Sequence, residues 1–306
     1  MPPDPNMIYR GEWKNDLRHG YGIQEFFDGS RFEGQWQYNK QYFGTFVWPD
    51  GAEYSGDFSG AMLEGQGTLK TDDEVVTGTW KDSKLEGKGE RRLANGDRYS
   101  GNWIKGRLQG YGEHHTQEES YTGNYFANRE NGKGKKVFHK LNSVYEGVFK
   151  DGLFHGLGKQ YFNSGDYYVG EFVKGMRHGK GTFRFSNGDE YEGDWEKNEQ
   201  TGKGILRSKY KAAEDGPELT SSYKGEFKEG LFHGKGVFEV EDGFRYEGEF
   251  AFGFREGQGK LKVPVNDVKH EYFKDVGFEI YEGCFKNDLL NGFAKVVYAD
   301  GISYEG

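Results

Sequence analysis

The chain has 306 residues, a formal net charge of -9, 50 glycines and only 34% hydrophobic residues, half of them aromatic. That composition excludes the thick aliphatic core of an ordinary globular enzyme and favours many short aromatic strands joined by tight turns, so the class read from it is all-β. One cysteine, Cys284, excludes an intramolecular disulfide and fits a reducing compartment. The acidic balance opposes general attraction to phosphate backbones and anionic lipid, so nucleic acid is not an expected partner.

Residues 1–8 read as a leader: Met1-Pro2-Pro3-Asp4-Pro5 has no basic segment followed by an apolar stretch, which predicts a chain without a signal peptide. From Tyr9 onward one pattern recurs, an aromatic, x, Gly, x, aromatic unit followed about six residues later by Gly-x-Gly. Its opening position is Tyr9, Phe32, Tyr54, Val76 as a substitute, Tyr99, Tyr121, Tyr145, Tyr168, Tyr191, Tyr223, Tyr246, Tyr281 and Tyr304, and ten of the twelve steps between them are 22 to 24 residues. The glycines of the opening unit, Gly11, Gly34, Gly56, Gly78, Gly101, Gly123, Gly147, Gly170, Gly193, Gly225, Gly248 and Gly283, are expected to be repeat-structural.

Period-two spacing puts Tyr168, Gly170 and Phe172 on one face of a strand and Val169 and Glu171 on the other. Each missing side chain leaves a slot where a ring can lie on bare backbone. Asp151-Gly152, Lys174-Gly175 and Glu229-Gly230 are predicted turns inside hairpins, whereas Asp28-Gly29, Asp50-Gly51, Asn95-Gly96, Asn187-Gly188, Asp242-Gly243 and Asp300-Gly301 lead from one hairpin to the next. The expected architecture is an elongated single-layer antiparallel sheet solenoid of about twelve β-hairpin repeats, on the order of 110 Å long at ~4.8 Å per strand.

The segmentation that follows is 9–204 for repeats one to nine, an insertion at 205–222, 223–259 for repeats ten and eleven, an insertion at 260–280, and 281–306 for repeat twelve and the start of a thirteenth. Two hairpins depart from the pattern, with Phe43-Gly44-Thr45 in the second and Gly292-Phe293-Ala294 in the twelfth, and looser packing is expected there. The insertions are expected to be surface loops, and the second, with Val263-Pro264-Val265, Val268 and Tyr272-Phe273, is the stronger candidate for a partner contact. Tyr304-Glu305-Gly306 opens a repeat it does not finish, which implies either continuation past Gly306 or a partner strand.

No residue pattern marks catalysis. His19, His155, His178 and His233 each precede a Gly-x-Gly, are separated by whole repeats and cannot converge on one ion; His114-His115 shows no carboxylate at ligand spacing in sequence. Gly230 to Lys235 is one residue short of a phosphate loop and lacks a strand-loop-helix setting. The expectation is therefore no catalytic residue, no metal and no cofactor, with Cys284 at an outward, variable position.

Segments such as Tyr168-Val-Gly-Glu-Phe-Val-Lys-Gly-Met-Arg-His-Gly-Lys-Gly-Thr-Phe and Tyr223-Lys-Gly-Glu-Phe resemble the MORN repeat, and the resemblance extends over residues 9 to 303. It implies a twisted antiparallel sheet of the kind used in junctophilins, plant phosphatidylinositol phosphate kinases, parasite cytoskeletal proteins and axonemal radial spokes. Asn39 with Phe43 to Gly51 is similar to an early repeat of the radial-spoke-head members. The function expected is a non-enzymatic scaffold in a cytoskeletal assembly, in the cytoplasm and at the ciliary axoneme. A lipid-reading adaptor and a regulatory segment of a longer enzyme are the alternatives. Because a single sheet leaves one aromatic side uncovered, Tyr145, Phe149, Tyr168, Phe172, Tyr191 and Trp195 are expected to stay partly exposed and to hold an elongated partner segment.

Overall fold

The structure, a computed structural model, describes residues 7–211, 218–264 and 277–306. Every regular element among them is a strand, twenty-five in all, from β1 (Ile8–Lys14) to β25 (Ser303–Glu305); the first thirteen, and again the last twelve, pair antiparallel with their sequence neighbours. Two compact units divide the chain, Met1–Leu153 and Phe154–Gly306, and each is a run of consecutive hairpins.

A hairpin of the second unit, β15 (Tyr167–Val173) and β16 (Met176–Arg184), shows why the sequence folds this way. Its turn is Lys174-Gly175, with φ of 51° and 83° at the two central residues, the positive pair that matches the right-handed twist of the flanking strands. Gly170 lies opposite Gly181, but Glu171 then pairs with His178, so Gly179 and Lys180 bulge out. Gly179 sits at φ 61°, where a side chain is strained, and the Glu171 carboxylate accepts the Lys180 amide at 3.0 Å. The two glycines of Gly-x-Gly thus serve different ends: the first makes the bulge and the second faces a ring.

Those second glycines align with the glycines of the opening units. In the second unit Gly158, Gly170, Gly181, Gly193, Gly204, Gly225, Gly236, Gly248, Gly259 and Gly283 pair in succession across adjacent strands. In the first unit the row begins Gly11, Gly22, Gly34, Gly44, Gly56 and reaches Gly134 and Gly147. A bare backbone strip therefore crosses each sheet, and the tyrosines of the repeat lie along it.

The departures have simple geometry. In the second hairpin, β3 (Arg31–Gln37) with β4 (Lys40–Val47), a single residue, Tyr42, bulges in place of two. In the twelfth, Ala294 stands opposite Gly283, and a Cβ added at Gly283 would fall 2.6 Å from the Ala294 Cβ.

The described part of the first insertion is not a loop. β18 (Glu199–Lys211) and β19 (Glu218–Lys228) continue their ladder from Arg207 opposite Ser222 to Lys211 opposite Glu218. Backbone pairing carries the two strands past the repeat signature, which alone marked their ends in the sequence. In the second, Lys262 pairs with Ile280 and Val263 donates its amide to Glu279 O at 2.9 Å; Val263 is buried, and Val265, Val268 and Tyr272-Phe273 lie outside the described residues.

Candidate interaction surfaces

Over the middle hairpins the aromatic face is closed. In most repeats the opening tyrosine lies over the glycine strip and meets the ring four residues on nearly at right angles, as Tyr168 meets Phe172 at 5.1 Å and 89°; Tyr99, which meets His114, does not. Tyr168 also meets the corresponding ring of the next hairpin, Trp195, at 5.2 Å, and the alternation runs on through Tyr191, Phe227, Tyr223, Phe250, Tyr246 and Phe285. In the first unit Tyr121 meets Phe149 at 4.9 Å and Tyr145 meets it at 5.1 Å. Edge-to-face pairs contribute about 0.5–1.5 kcal/mol each beyond burial.

The expectation of a half-open aromatic surface therefore fails on exposure: Tyr145, Phe149, Tyr168, Phe172, Tyr191 and Trp195 are between 0% and 4% exposed. The glycine strip lets each tyrosine sink to backbone level, and rings from its own and the next hairpin close over it. Even the polar tips are used, since Tyr145 Oη donates to Val148 O at 3.0 Å and Tyr168 Oη to Glu171 O at 3.1 Å. Burial pushes these phenols of Tyr168 and Tyr191 well above the usual tyrosine range. The six side chains are core.

The opposite, polar face of the second unit is hollowed. A groove of about 870 Å³ has Gly181, Gly193, Gly204 and Gly225 as its floor and Lys180, Lys203, Ile205, Lys224 and Lys235 on its walls, carried by β16, β18, β19 and β20 (Leu231–Val240). Lys180 is paired with Asp194 at 2.5 Å, but among the described residues Lys203, Lys224 and Lys235 make no ion pair. Glu192 and Glu226 line the same groove, Glu192 pairing with Arg207 and Glu226 lying where a Cβ on Gly234 would stand, while Asp194 accepts the Lys203 amide at 2.9 Å as well as pairing with Lys180. In the adjoining hollow Arg207 and Arg245 are each paired with glutamates. Uncommitted positive charge thus concentrates on β18 to β20.

One polar cluster interrupts the aromatic core of the first unit. His114 on β10 (Arg107–His115) has Tyr125 Oη at 2.8 Å from Nδ1 and Glu119 at 3.4 Å from Nε2; both partners are on β11 (Glu119–Phe126). Glu130, on β12 (Arg129–Phe138), lies 3.9 Å from Nδ1. Burial, then the neighbouring Lys136, lowers the His114 pKa, and burial raises that of Glu130. His114, Glu119 and Glu130 offer three donor atoms within 4.8 Å of one another, yet the Lys136 ammonium already bridges the carboxylates at 2.8 and 2.9 Å. A lysine holds the position that a metal would need.

The family profile described as MORN repeat matches twelve segments, from 9–31 through 168–190 to 281–303. The chain is a MORN-repeat protein. It is also similar to alsin of Mus musculus, Pan troglodytes and Homo sapiens, 29% identical in each over 99 residues, or 32% of this chain. The match spans 6% of the length of those curated relatives.

Set on the MORN pattern, the cluster has a clear origin. His114 takes the place that Phe183 has in its own hairpin, Tyr125 that of Phe172, and Glu130 that of Arg177, as the pairings of Tyr125 with Glu130 and Phe172 with Arg177 show. Sequence spacing missed the carboxylates because they reach His114 from the two strands that follow. Cys284 stands where other MORN hairpins carry the carboxylate beside the bulge, half-buried, and accepts the Gln258 side-chain N–H at 2.9 Å. His19, His155, His178 and His233 stay at one position in separate hairpins.

Proposed function

We propose that this MORN-repeat chain is a non-enzymatic scaffold that docks partner proteins on the polar face of its second unit. The observation that carries the reading is the groove on β16 to β20, where three lysines without acidic partners surround a glycine floor in a chain of net charge -9. A glycine floor admits a partner's side chains to backbone depth, and the lysines select an acidic segment by charge complementarity. Lysine point charges on flexible stems suit a run of carboxylates.

The assembly we propose is the radial spoke head of motile cilia, with the chain at the axoneme. The likeness of Asn39 and Phe43 to Gly51 to an early spoke-head repeat supports it, as does the near end-to-end run of repeats. Proximity labelling from the full chain in a ciliated cell tests both levels. Labelling of spoke components that is lost in the triple variant Lys203→Glu, Lys224→Glu, Lys235→Glu supports groove and assembly together. Labelling that survives the triple charge reversal overturns the groove, and a labelled set without spoke components overturns the assembly. The alsin match, confined to 6% of that protein, supports a second reading in which the repeats are a regulatory segment of a longer enzyme. A transcript that continues into another domain would support it.

A further inference from the structure

The first hairpin leaves one ring of the repeat uncovered. From the second hairpin to the twelfth, the ring four residues after the opening position is buried, from Trp36 and Phe58 to Phe285, at 6% exposure or less. Its counterpart in β1, Trp13, is 60% exposed. In most hairpins the opening ring of the preceding hairpin meets that side chain, as Tyr9 meets Trp36 at 5.4 Å and Phe32 meets Phe58 at 5.2 Å. Among the described residues Trp13 meets only Tyr9 of its own strand, at 5.2 Å.

The backbone beside Trp13 is open as well. β1 pairs with β2 (Leu17–Glu25), and among the described residues no strand pairs with its other edge. That edge lacks the devices that blunt an exposed strand: β1 has no proline and no residue at positive φ, and the bulged residues of its hairpin are carried by β2. Residues 1–6 contain no aromatic side chain and three prolines, which give no N–H to a ladder.

The order of residues in β1, Ile8-Tyr-Arg-Gly-Glu-Trp-Lys14, complements itself about Gly11. A two-fold axis normal to the sheet at Gly11 sets a second β1 antiparallel to the first. Gly11 then faces Gly11, Tyr9 faces Trp13, and Arg10 faces Glu12, the last two contacts each made twice. This rotation keeps both ring faces on one side and carries the two sheets away from the axis. Glycine opposite glycine is the pairing that the sheet itself uses, as at Gly22 and Gly34. On the polar face Arg10 is 67% exposed, with a long 3.5 Å ion pair to Glu25, and Glu12 is exposed while its Oε1 accepts the Tyr21 amide at 3.1 Å. Opposite charges facing one another across two strands favour this register, and a strand with like charges there is repelled.

We propose that β1 is a homodimerisation edge. Two copies of the chain join by antiparallel addition of β1 to β1, which continues the glycine row through the two-fold axis and covers Trp13 of each copy with Tyr9 of the other. One pair of seven-residue strands is a small interface, so the dimer is weak and forms as concentration rises. The edge shares no residue with the lysine groove of the second unit, and each reading stands if the other fails.

Sedimentation velocity of the full chain over a wide concentration range tests this, and a monomer that passes to a dimer, with no larger species, is expected. Trp13→Ser removes the covered ring and Arg10→Glu sets a carboxylate against Glu12; each should weaken dimerisation at least tenfold. Glu12→Arg should do the same, and an equimolar mixture of the Arg10→Glu and Glu12→Arg variants should recover the dimer, because every charge then faces its opposite. Tyr304→Ser, in β25, should leave dimerisation unchanged, and circular dichroism checks that each variant is folded. A monomer at every concentration overturns the proposal, as does a dimer unaffected in folded Trp13→Ser and Arg10→Glu. Folded charge variants that stay monomeric when mixed also overturn it. Loss of self-association in Tyr304→Ser, or assembly beyond the dimer, overturns it in favour of another edge.

Discussion

The ring of Tyr168 occupies the space that a side chain on Gly181 would need: a Cβ there would lie 2.2 Å from the tyrosine hydroxyl and 2.4 Å from Cζ. Tyr168 itself is fully buried. The glycine row and the tyrosine row are therefore one packing unit, and substitution of either member has a definite consequence.

Gly193→Val is expected to cost about 1–3 kcal/mol or more, as overpacking does. A Cβ at Gly193 would meet the Tyr191 hydroxyl at 2.4 Å and the Gly204 Cα at 2.7 Å. Hairpins contact mainly their neighbours, so hydrogen exchange should rise in β17 (Glu190–Glu196) and the strands beside it while distant hairpins keep their protection. A uniform rise throughout the second unit would contradict this local coupling.

Tyr168→Ser and Tyr191→Ser should act through stability. Truncating a fully buried aromatic costs about 3–5 kcal/mol, so each variant should lower the midpoint of urea unfolding. Surface charge reversals at Lys203, Lys224 and Lys235 should leave that midpoint nearly unchanged. Full stability in the tyrosine variants would mean that the buried rings do not hold the core.

Acid should loosen the first unit around β10. The folded-state pKa of His114 is lowered by burial and by Lys136, so the unfolded chain binds the proton more readily. Its contribution is present above the ordinary histidine pKa of about 6.5 and is lost as pH falls through it. Glu130 works in the opposite sense: its raised pKa favours the folded state at the acid end of the carboxylate range and that contribution fades as pH rises. Glu119, Lys136, His115, Tyr99, Tyr121 and Tyr125 complete the ionisable groups facing His114. Thermal melts at pH 7.5 and 5.5 should show a loss in the parent chain that is reduced in His114→Gln. An equal loss in both would place the sensitivity elsewhere.

Alkali should unfold the chain through its phenols. Burial raises Tyr54, Tyr121, Tyr168, Tyr191 and Tyr223 and pushes Tyr246 up to about 12. Each contributes stability that is full below the unfolded tyrosine pKa of about 10 and is lost as pH rises above it. Phenolate absorbance should therefore appear together with loss of the β-sheet circular dichroism signal. Early, gradual ionisation of all tyrosines with the sheet intact would show that the rings are accessible.

The sequence by itself determined the hairpins, because their causes are local. Lys174-Gly175 makes its turn from two residues with positive φ, Tyr168, Gly170 and Phe172 share a face by the pleat, and the recurrence at 22 to 24 residues names the repeat. Only the tertiary structure decided what each face does. The burial of Tyr168 and Trp195 depends on rings from the next hairpin, the meeting of His114 with Glu119 and Glu130 on the register of three strands, and the lysine groove on which carboxylates the bulges withdraw. Gln24 and Gln41 read as ordinary polar substitutions, and their burial follows from positions that Phe183 and Arg177 fill in another hairpin. Burial and pairing depend on register between strands, and period and turn residues along one strand do not specify which side chains arrive from the next.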